Sequence, residues 1–315
     1  MPAPSKRLHT KRFDQAGLLA RLNAGANRAW TALAGWVPGG RDVPEPGAGD
    51  GRPGRVYLVG AGPGDADLLT LRAARLLSQA DAIVYDRLVG DDILAMIPAG
   101  RERYYVGKAR GHHSVAQAEI GALLVKLAGE GKSVVRLKGG DPGVFGRMGE
   151  ELAALAEGAI PAEIVPGITA ASGAAAAMGM ALTDRAHAQQ LRFVTAQLCR
   201  EGGEPDWASL ARTDETLVFY MGLSKVAAIC SGLRDAGLPD DWPMLLVANA
   251  SLAEQRSLIG TLADMPQKLA ENPLPSPCLI MVGSVVRMAE AAQRQARAVG
   301  VEGGLRQARP SEDQQ

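Results

Sequence analysis

The sequence has no charge bias. Its 34 Lys and Arg are balanced by 34 Asp and Glu over 315 residues. No global field draws it to nucleic acid, and a polyanionic ligand would need a local basic pocket. Cysteine is scarce. Cys199, Cys230 and Cys278 are far apart and odd in number, which fits a reducing cytoplasm rather than a disulfide framework. There are four histidines. The adjacent His112 and His113 point apart on a helix or strand, and no His/Cys cluster has metal-ligand spacing, so no metal is expected. No apolar run is long enough to span a membrane, and nothing resembles a secretory h-region. What is present is 47% hydrophobic and 22% charged, a globular balance in a chain long enough for two domains.

Residues 1–54 differ from the rest. Met1 to Trp30 carries Lys6, Arg7, Lys11, Arg12, Arg21 and Arg28 against Asp14 alone, with Leu18, Leu19, Leu22, Ala26 and Trp30 near helical spacing. Val37 to Gly54 is a Pro/Gly-rich linker that cannot build a core. A solvated or oligomer-contacting appendage is expected here, with a membrane-surface or targeting helix as the sharper alternative.

The compact part begins at Arg55. Strand patterns at Val56–Gly60, Ala82–Asp86, Arg103–Gly107, Ser133–Leu137 and Ile160–Val165 alternate with helical patterns at 66–80, 93–97 and 115–129. That alternation predicts a parallel sheet in a first domain, residues 55–166. A small-residue helix follows Pro166. Strand patterns then recur at Leu191–Thr195, Thr216–Tyr220, Met244–Ala248 and Cys278–Val282, before which Thr261–Leu269 reads as a surface helix. A second α/β domain, residues 167–290, and a polar tail, 291–315, complete the expected organisation. Each domain is expected to be a mostly parallel-strand sheet flanked by helices.

The chain is organised around Val134–Glu151, VVRLKGGDPGVFGRMGEE. A β-branched run breaks at Gly139-Gly140 and restarts at Asp141-Pro142, a pair suited to helix entry. Two glycines at a strand's C-terminal end let a ligand approach the backbone closely, and in open α/β sheets that crevice is where small molecules bind. Lys138, Asp141 and Arg147 crowd the break. Earlier, Gly60-Ala61-Gly62-Pro63-Gly64 invites a dinucleotide reading, with Asp86 as the ribose acid. It fits poorly: Asp65 holds the third glycine's place, and Pro63 removes a donor where a pyrophosphate needs one.

In order, VYLVGAGPGDADLLTLRA, IVYDRLV, YVGKARGHHSVAQAEI, VVRLKGGDPGVFGR and VPGITAASG resemble the tetrapyrrole methylase family over about Arg55–Ala289. YDRLV with RLKGGDP favours the branch acting on uroporphyrinogen III. The resemblance implies two α/β domains with S-adenosylmethionine in the cleft between them. It implies cofactor contacts at Pro63, Gly139, Gly140, Asp141, Val144, Thr169, Ala170, Met221 and Ala250. It further implies Asp86 as proton acceptor, Lys108 as proton donor, and methylation of two pyrrole carbons to give precorrin-2. Arg87, Arg110, Arg136 and Arg147 are candidate clamps for substrate carboxylates, since a guanidinium fork fits a carboxylate. Ordinary ion pairing is the alternative for each. A homodimer is expected by resemblance. No dehydrogenase/chelatase half accompanies the motifs, so methylation alone is expected.

The chain departs from the family pattern at Asp184 and Gln197, where relatives have His, and at Ala250, where they have Gly. Ala116 also replaces a proline. A methyl at position 250 would penalise a positive φ there, and lost histidines remove neutral donors. These departures motivate a rival reading, a non-catalytic member that binds cofactor or tetrapyrrole. A nicotinamide oxidoreductase is a third.

Overall fold

The structure is a computed structural model that describes residues 53–107, 116–196 and 205–298. The basic extension, Lys108, Arg110, His112, His113, Gln197 and Cys199 lie outside the described residues.

The first sheet is built from β1 (Arg55–Gly60), β2 (Ala82–Tyr85), β3 (Glu102–Tyr105), β4 (Ser133–Lys138) and β5 (Ala162–Val165), in the order β3-β2-β4-β1-β5. Every pairing in it is parallel, as the alternation of strands and helices requires. Helices cover both faces, so its central strands are buried throughout rather than alternating. Helices α1 (Leu71–Gln79) and α2 (Asp91–Ala95) pack against Tyr57, Val59, Val135 and Leu137. Helices α3 (Gln117–Gly129) and α4 (Met148–Glu157) pack against Val56, Leu58, Val84 and Val134. Parallel strands place all their C-terminal ends on one rim, which therefore carries the turns after Gly60, Tyr85, Lys138 and Val165.

Two helix starts differ from expectation. Residues 66–80 are not one helix. Asp65 caps a short 3-10 turn at Ala66–Leu68, and α1 begins after Thr70, whose hydroxyl accepts from the Ala73 N–H. The Asp141-Pro142 pair does not open α4 either. That helix starts at Met148, and Asp141 instead stabilises the turn before it.

Helix α5 (Ala170–Ala177) starts at the rim of the first sheet and packs on the second. The second sheet comprises β6 (Gln190–Thr195), β7 (Glu215–Tyr220), β8 (Pro243–Ala248), β9 (Arg256–Thr261) and β10 (Cys278–Val282), ordered β6-β7-β10-β8-β9. The expectation of a mostly parallel sheet is corrected here. Only β6 and β7 are parallel, while β10 runs antiparallel between β7 and β8, and β8 and β9 form a hairpin. The connection 249–255 is too short for a parallel crossover, which dictates the hairpin. The strand at 256–261 has no counterpart in the sequence reading, which gave its last residue to a helix.

Besides the short helix α6 (Trp207–Leu210), the second sheet carries α7 (Val226–Asp235) and α8 (Met265–Glu271) on one face, and α5 and α9 (Val286–Ala298) on the other. Helix α9 thus continues past residue 290, where a polar tail was expected.

Candidate functional site

The floor of the site is backbone. Gly62 and Gly140 exchange hydrogen bonds of 3.1 and 2.7 Å, joining the turn after β1 to the turn after β4. The loop after β5 presses against both. A Cβ on Gly60 would lie 2.6 Å from Gly167 Cα and 2.7 Å from the Gly140 carbonyl oxygen, so only glycine fits. Gly140 adopts φ +70°, and a Cβ there would have the Ala170 nitrogen, at 3.6 Å, as its nearest neighbour. The backbone of the second turn therefore lies in van der Waals reach of the start of α5. Pro63 closes one side: its ring sits where a side chain at Gly173 would be, 2.6 Å away.

Asp141 fixes this floor. Its Oδ1 accepts from the Gly143 N–H at 2.7 Å and its Oδ2 from the Gly167 N–H at 2.9 Å. The carboxylate thereby ties the β4 turn to the β5 loop, while Val144 N–H bonds the Asp141 carbonyl at 3.1 Å.

The second sheet supplies the opposite wall. Tyr220, at the end of β7, shares a 2.7 Å hydrogen bond with the Thr169 hydroxyl and accepts from the Ala171 N–H at 3.3 Å. Phe145, from the first half, stacks on it at 5.0 Å between ring centroids, and Phe193 approaches it from another side. Met221 follows at φ +57°, half exposed. Two contacts join the β8–β9 loop to the turn after β1: Asp65 N–H donates to the Ser251 hydroxyl at 3.2 Å, and Leu252 packs over Gly64. Gln255 is buried behind them, accepting from the Ser251 N–H at 2.8 Å.

Asp86 stands on the same rim, at the end of β2. Its Oδ1 accepts from the Leu88 N–H at 3.0 Å, and its Oδ2 pairs with Arg136 at 3.1 Å. Arg136 is buried, so its expected role as a substrate clamp is corrected. Its Nε donates to Glu151 at 3.0 Å, one Nη to the Leu137 carbonyl at 2.9 Å, and the other to Asp86. An internal fork so engaged supports Asp86 instead. Glu151 is fully buried and also binds Lys138 through both oxygens, at 2.8 and 2.9 Å. Burial pushes the Lys138 ammonium below its ordinary value, the adjacent Arg136 adds to this, and Glu151 opposes it.

These contacts bring Pro63, Gly140, Asp141, Val144, Thr169 and Ala170 together at the rim, with Gly139 beside Leu88, Met221 following Tyr220, and Asp86 at the end of β2. Ala250 lies in the β8–β9 loop, nearly buried. Positive φ occurs at its neighbours Asn249 (φ 50°) and Ser251 (φ 68°), not at Ala250 itself, so the penalty expected for its methyl does not arise. Arg87 has its backbone against Gly107. Arg147 is exposed at the start of α4 and pairs with Glu150. Asp184 closes a tight turn with Ala188, its carboxylate accepting from the Ala186 N–H at 2.8 Å. The residues that sequence reading missed are Tyr220, Phe145, Ser251, Gln255 and Glu151. Tyr220 and Phe145 were detectable only as neighbours of flagged positions, and Glu151 resembled any acid in the first turn of a helix.

The Gly62-Pro63-Gly64 turn leads into a three-residue 3-10 turn, so it does not open an α-helix as the dinucleotide fingerprint requires. Among the described residues no His/Cys/Asp/Glu group can hold a metal, and no helix is long and apolar enough to cross a membrane.

The fold is that of an α/β protein with two five-stranded sheets, and the turns described above gather on the C-terminal rim of the parallel one. Residues 55–266 match the model of the Tetrapyrrole (Corrin/Porphyrin) Methylases. The chain belongs to that family. It is 51% identical over 241 residues to the siroheme synthase of Pseudoalteromonas atlantica, covering 76% of this chain and 52% of that protein. It is 52% identical over 235 residues to the siroheme synthase of Nitrosomonas europaea, covering 75% and 50%. The chain thus spans about half the length of these relatives. The crystal structure of uroporphyrin-III C-methyl transferase from Thermus thermophilus complexed with S-adenyl homocysteine superposes with TM-score 0.64 at 42% identity, over 74% of this chain and 99% of that one. A cobalt precorrin-4 methyltransferase matches at TM-score 0.65 and 28% identity, over 72% and 94%.

Proposed function

We propose that this protein is an S-adenosylmethionine-dependent C-methyltransferase that methylates uroporphyrinogen III at C2 and C7, giving precorrin-2. The observation that carries the reading is the match over 99% of the Thermus uroporphyrin-III C-methyl transferase chain, a protein crystallised with the spent cofactor. The cleft suits that cofactor. It offers a main-chain floor at Gly62 and Gly140, the apolar side chains Leu88, Phe145 and Met221, and a carboxylate.

When bound, S-adenosylmethionine supplies an electrophilic methyl carbon on a sulfonium. Pro63, the Gly139–Asp141 turn, Val144, Thr169, Ala170, Met221 and the Ala250 loop would hold it. Binding both reactants in line contributes through orientation, in favourable cases about 7–11 kcal/mol of the barrier. Alkylation of a pyrrole carbon releases a proton. Asp86, oriented on the rim, takes this one net proton, and Lys108 donates only where rearrangement of the ring first gives up a second proton. Each such group contributes roughly 10²–10⁴-fold. Arg87, Arg110 and Arg147 are left as candidates for the substrate carboxylates.

The same reading divides the chain into the domains 55–166 and 167–290, with the protein acting as a cytoplasmic homodimer. The product would serve siroheme, cobalamin or heme d1 synthesis. Anaerobic incubation with uroporphyrinogen III and S-adenosylmethionine, followed by mass spectrometry, tests the reading. A gain of two methyl groups, abolished in Asp141→Ala, is expected. Tight cofactor binding without any methylation would favour a non-catalytic member instead.

A further inference from the structure

Strand β4 turns cationic as it nears the rim. Val134, Arg136 and Lys138 share its α3/α4 face, and the last two are buried charges where apolar residues would be expected. Glu151 reaches them from the first turn of α4, and all its acceptor capacity is used. Its Oε1 takes Arg136 Nε at 3.0 Å, Lys138 Nζ at 2.8 Å and Gln117 Nε2 at 3.3 Å, and its Oε2 takes Lys138 Nζ at 2.9 Å.

Buried ion clusters are poor sources of stability, and well-packed apolar residues often serve as well. What apolar residues cannot do is hold a guanidinium in a fixed plane. Here that plane ends at Asp86. With Glu151 on Nε and the Leu137 carbonyl on one Nη, the other Nη can only point at Asp86 Oδ2. The second Asp86 oxygen is held by the Leu88 N–H. One donor on each oxygen fixes the rotation of the carboxylate. Lys138 contacts both Glu151 oxygens, so the cluster matches two basic side chains with two carboxyl groups.

We propose that Glu151 is a positioning residue which, through Arg136, sets the orientation of the Asp86 carboxylate in the cleft. The inference rests on the reading of Asp86 as proton acceptor. Glu151 touches no solvent, and its contact with Arg136 leads directly to Asp86.

The test is a double-mutant cycle on the full chain, with methyl transfer to uroporphyrinogen III and calorimetric binding of S-adenosylhomocysteine as readouts. Glu151→Gln is expected to lower kcat by about 10²-fold, the scale of a small misplacement. KM for the cofactor and homocysteine-form affinity are expected to stay within about threefold, since the same principle assigns the loss to orientation at the reacting centre. Arg136→Lys retains the buried charge but not the fork, and is expected to show the same split. It carries the test where Glu151→Gln fails to fold. In an Asp86→Asn background either change should cost nothing further in kcat, although any loss of Tm persists. An undiminished second loss in that background overturns the positioning role while leaving the acceptor reading intact. Unchanged kcat in the single variants overturns it too. Wild-type turnover in Asp86→Asn alone would instead sink the acceptor reading, and the inference with it.

Discussion

The Asp141 carboxylate and the Gly167 amide, 26 residues apart, meet at 2.9 Å and lock the β5 loop against the β4 turn. The same side chain also holds Gly143. Asp141→Ala removes both bonds and is expected to cost about 1–3 kcal/mol of stability. It should also abolish calorimetric binding of S-adenosylhomocysteine. Binding at wild-type affinity would show that the turn keeps its shape without the carboxylate.

Gly167 is required for space, not for its backbone angle. Its φ is not positive, yet a Cβ would collide with Gly60 at 2.8 Å and with the Gly140 carbonyl oxygen. Gly167→Ala is expected to lose about 1–3 kcal/mol in urea denaturation, as overpacked sites do. It should lose cofactor affinity with it. A stable, fully binding variant would mean the three turns can move apart.

Burial raises the Tyr220 phenol above its ordinary value, while its hydrogen bonds to Thr169 and Ala171 pull the other way. The native state therefore holds this proton after the unfolded chain has released it. The associated stability is complete below the ordinary phenol value of 10.0 and is lost as pH climbs through the raised one. Tyr220→Phe should reduce stability by about 1–2 kcal/mol at neutral pH through lost hydrogen bonds. It should also unfold with a shallower decline above pH 10 than the parent. Parallel pH profiles for the two proteins would contradict this.

Ala250→Gly restores the glycine of the family pattern, but the structure gives it nothing to relieve. The methyl is buried, and the strained angles belong to Asn249 and Ser251. The substitution is expected to lower stability by about 0.4–1 kcal/mol through a freer unfolded chain. No gain in turnover is expected, and a several-fold rise in kcat would contradict the observed geometry.

Much of the first sheet was legible because strand–helix alternation and buried β-branched runs have few other solutions. The cleft was legible from the glycines and the acid at the end of β4. The second sheet was harder. Arg256 to Thr261 lacks a clean alternation and contains Gly260, so nothing local distinguishes it from loop. Only its pairing with β8 makes it a strand. The Arg136–Glu151–Lys138 cluster escaped because charges separated by two on a strand normally signal a solvated face. Their burial follows from α4 lying across them, a tertiary fact. One departure that favoured a non-catalytic reading loses its force: Ala250 needs no glycine angle.

The contact among Gly60, Gly140 and Gly167 has an evolutionary corollary. A surface made of main chain is hard to retune by exchanging side chains: at Gly60 and Gly167 an added Cβ has no room, and at Gly140 the left-handed φ disfavours one. A change of ligand is open instead at Leu88, Phe145 and Met221, side chains that are each about half exposed.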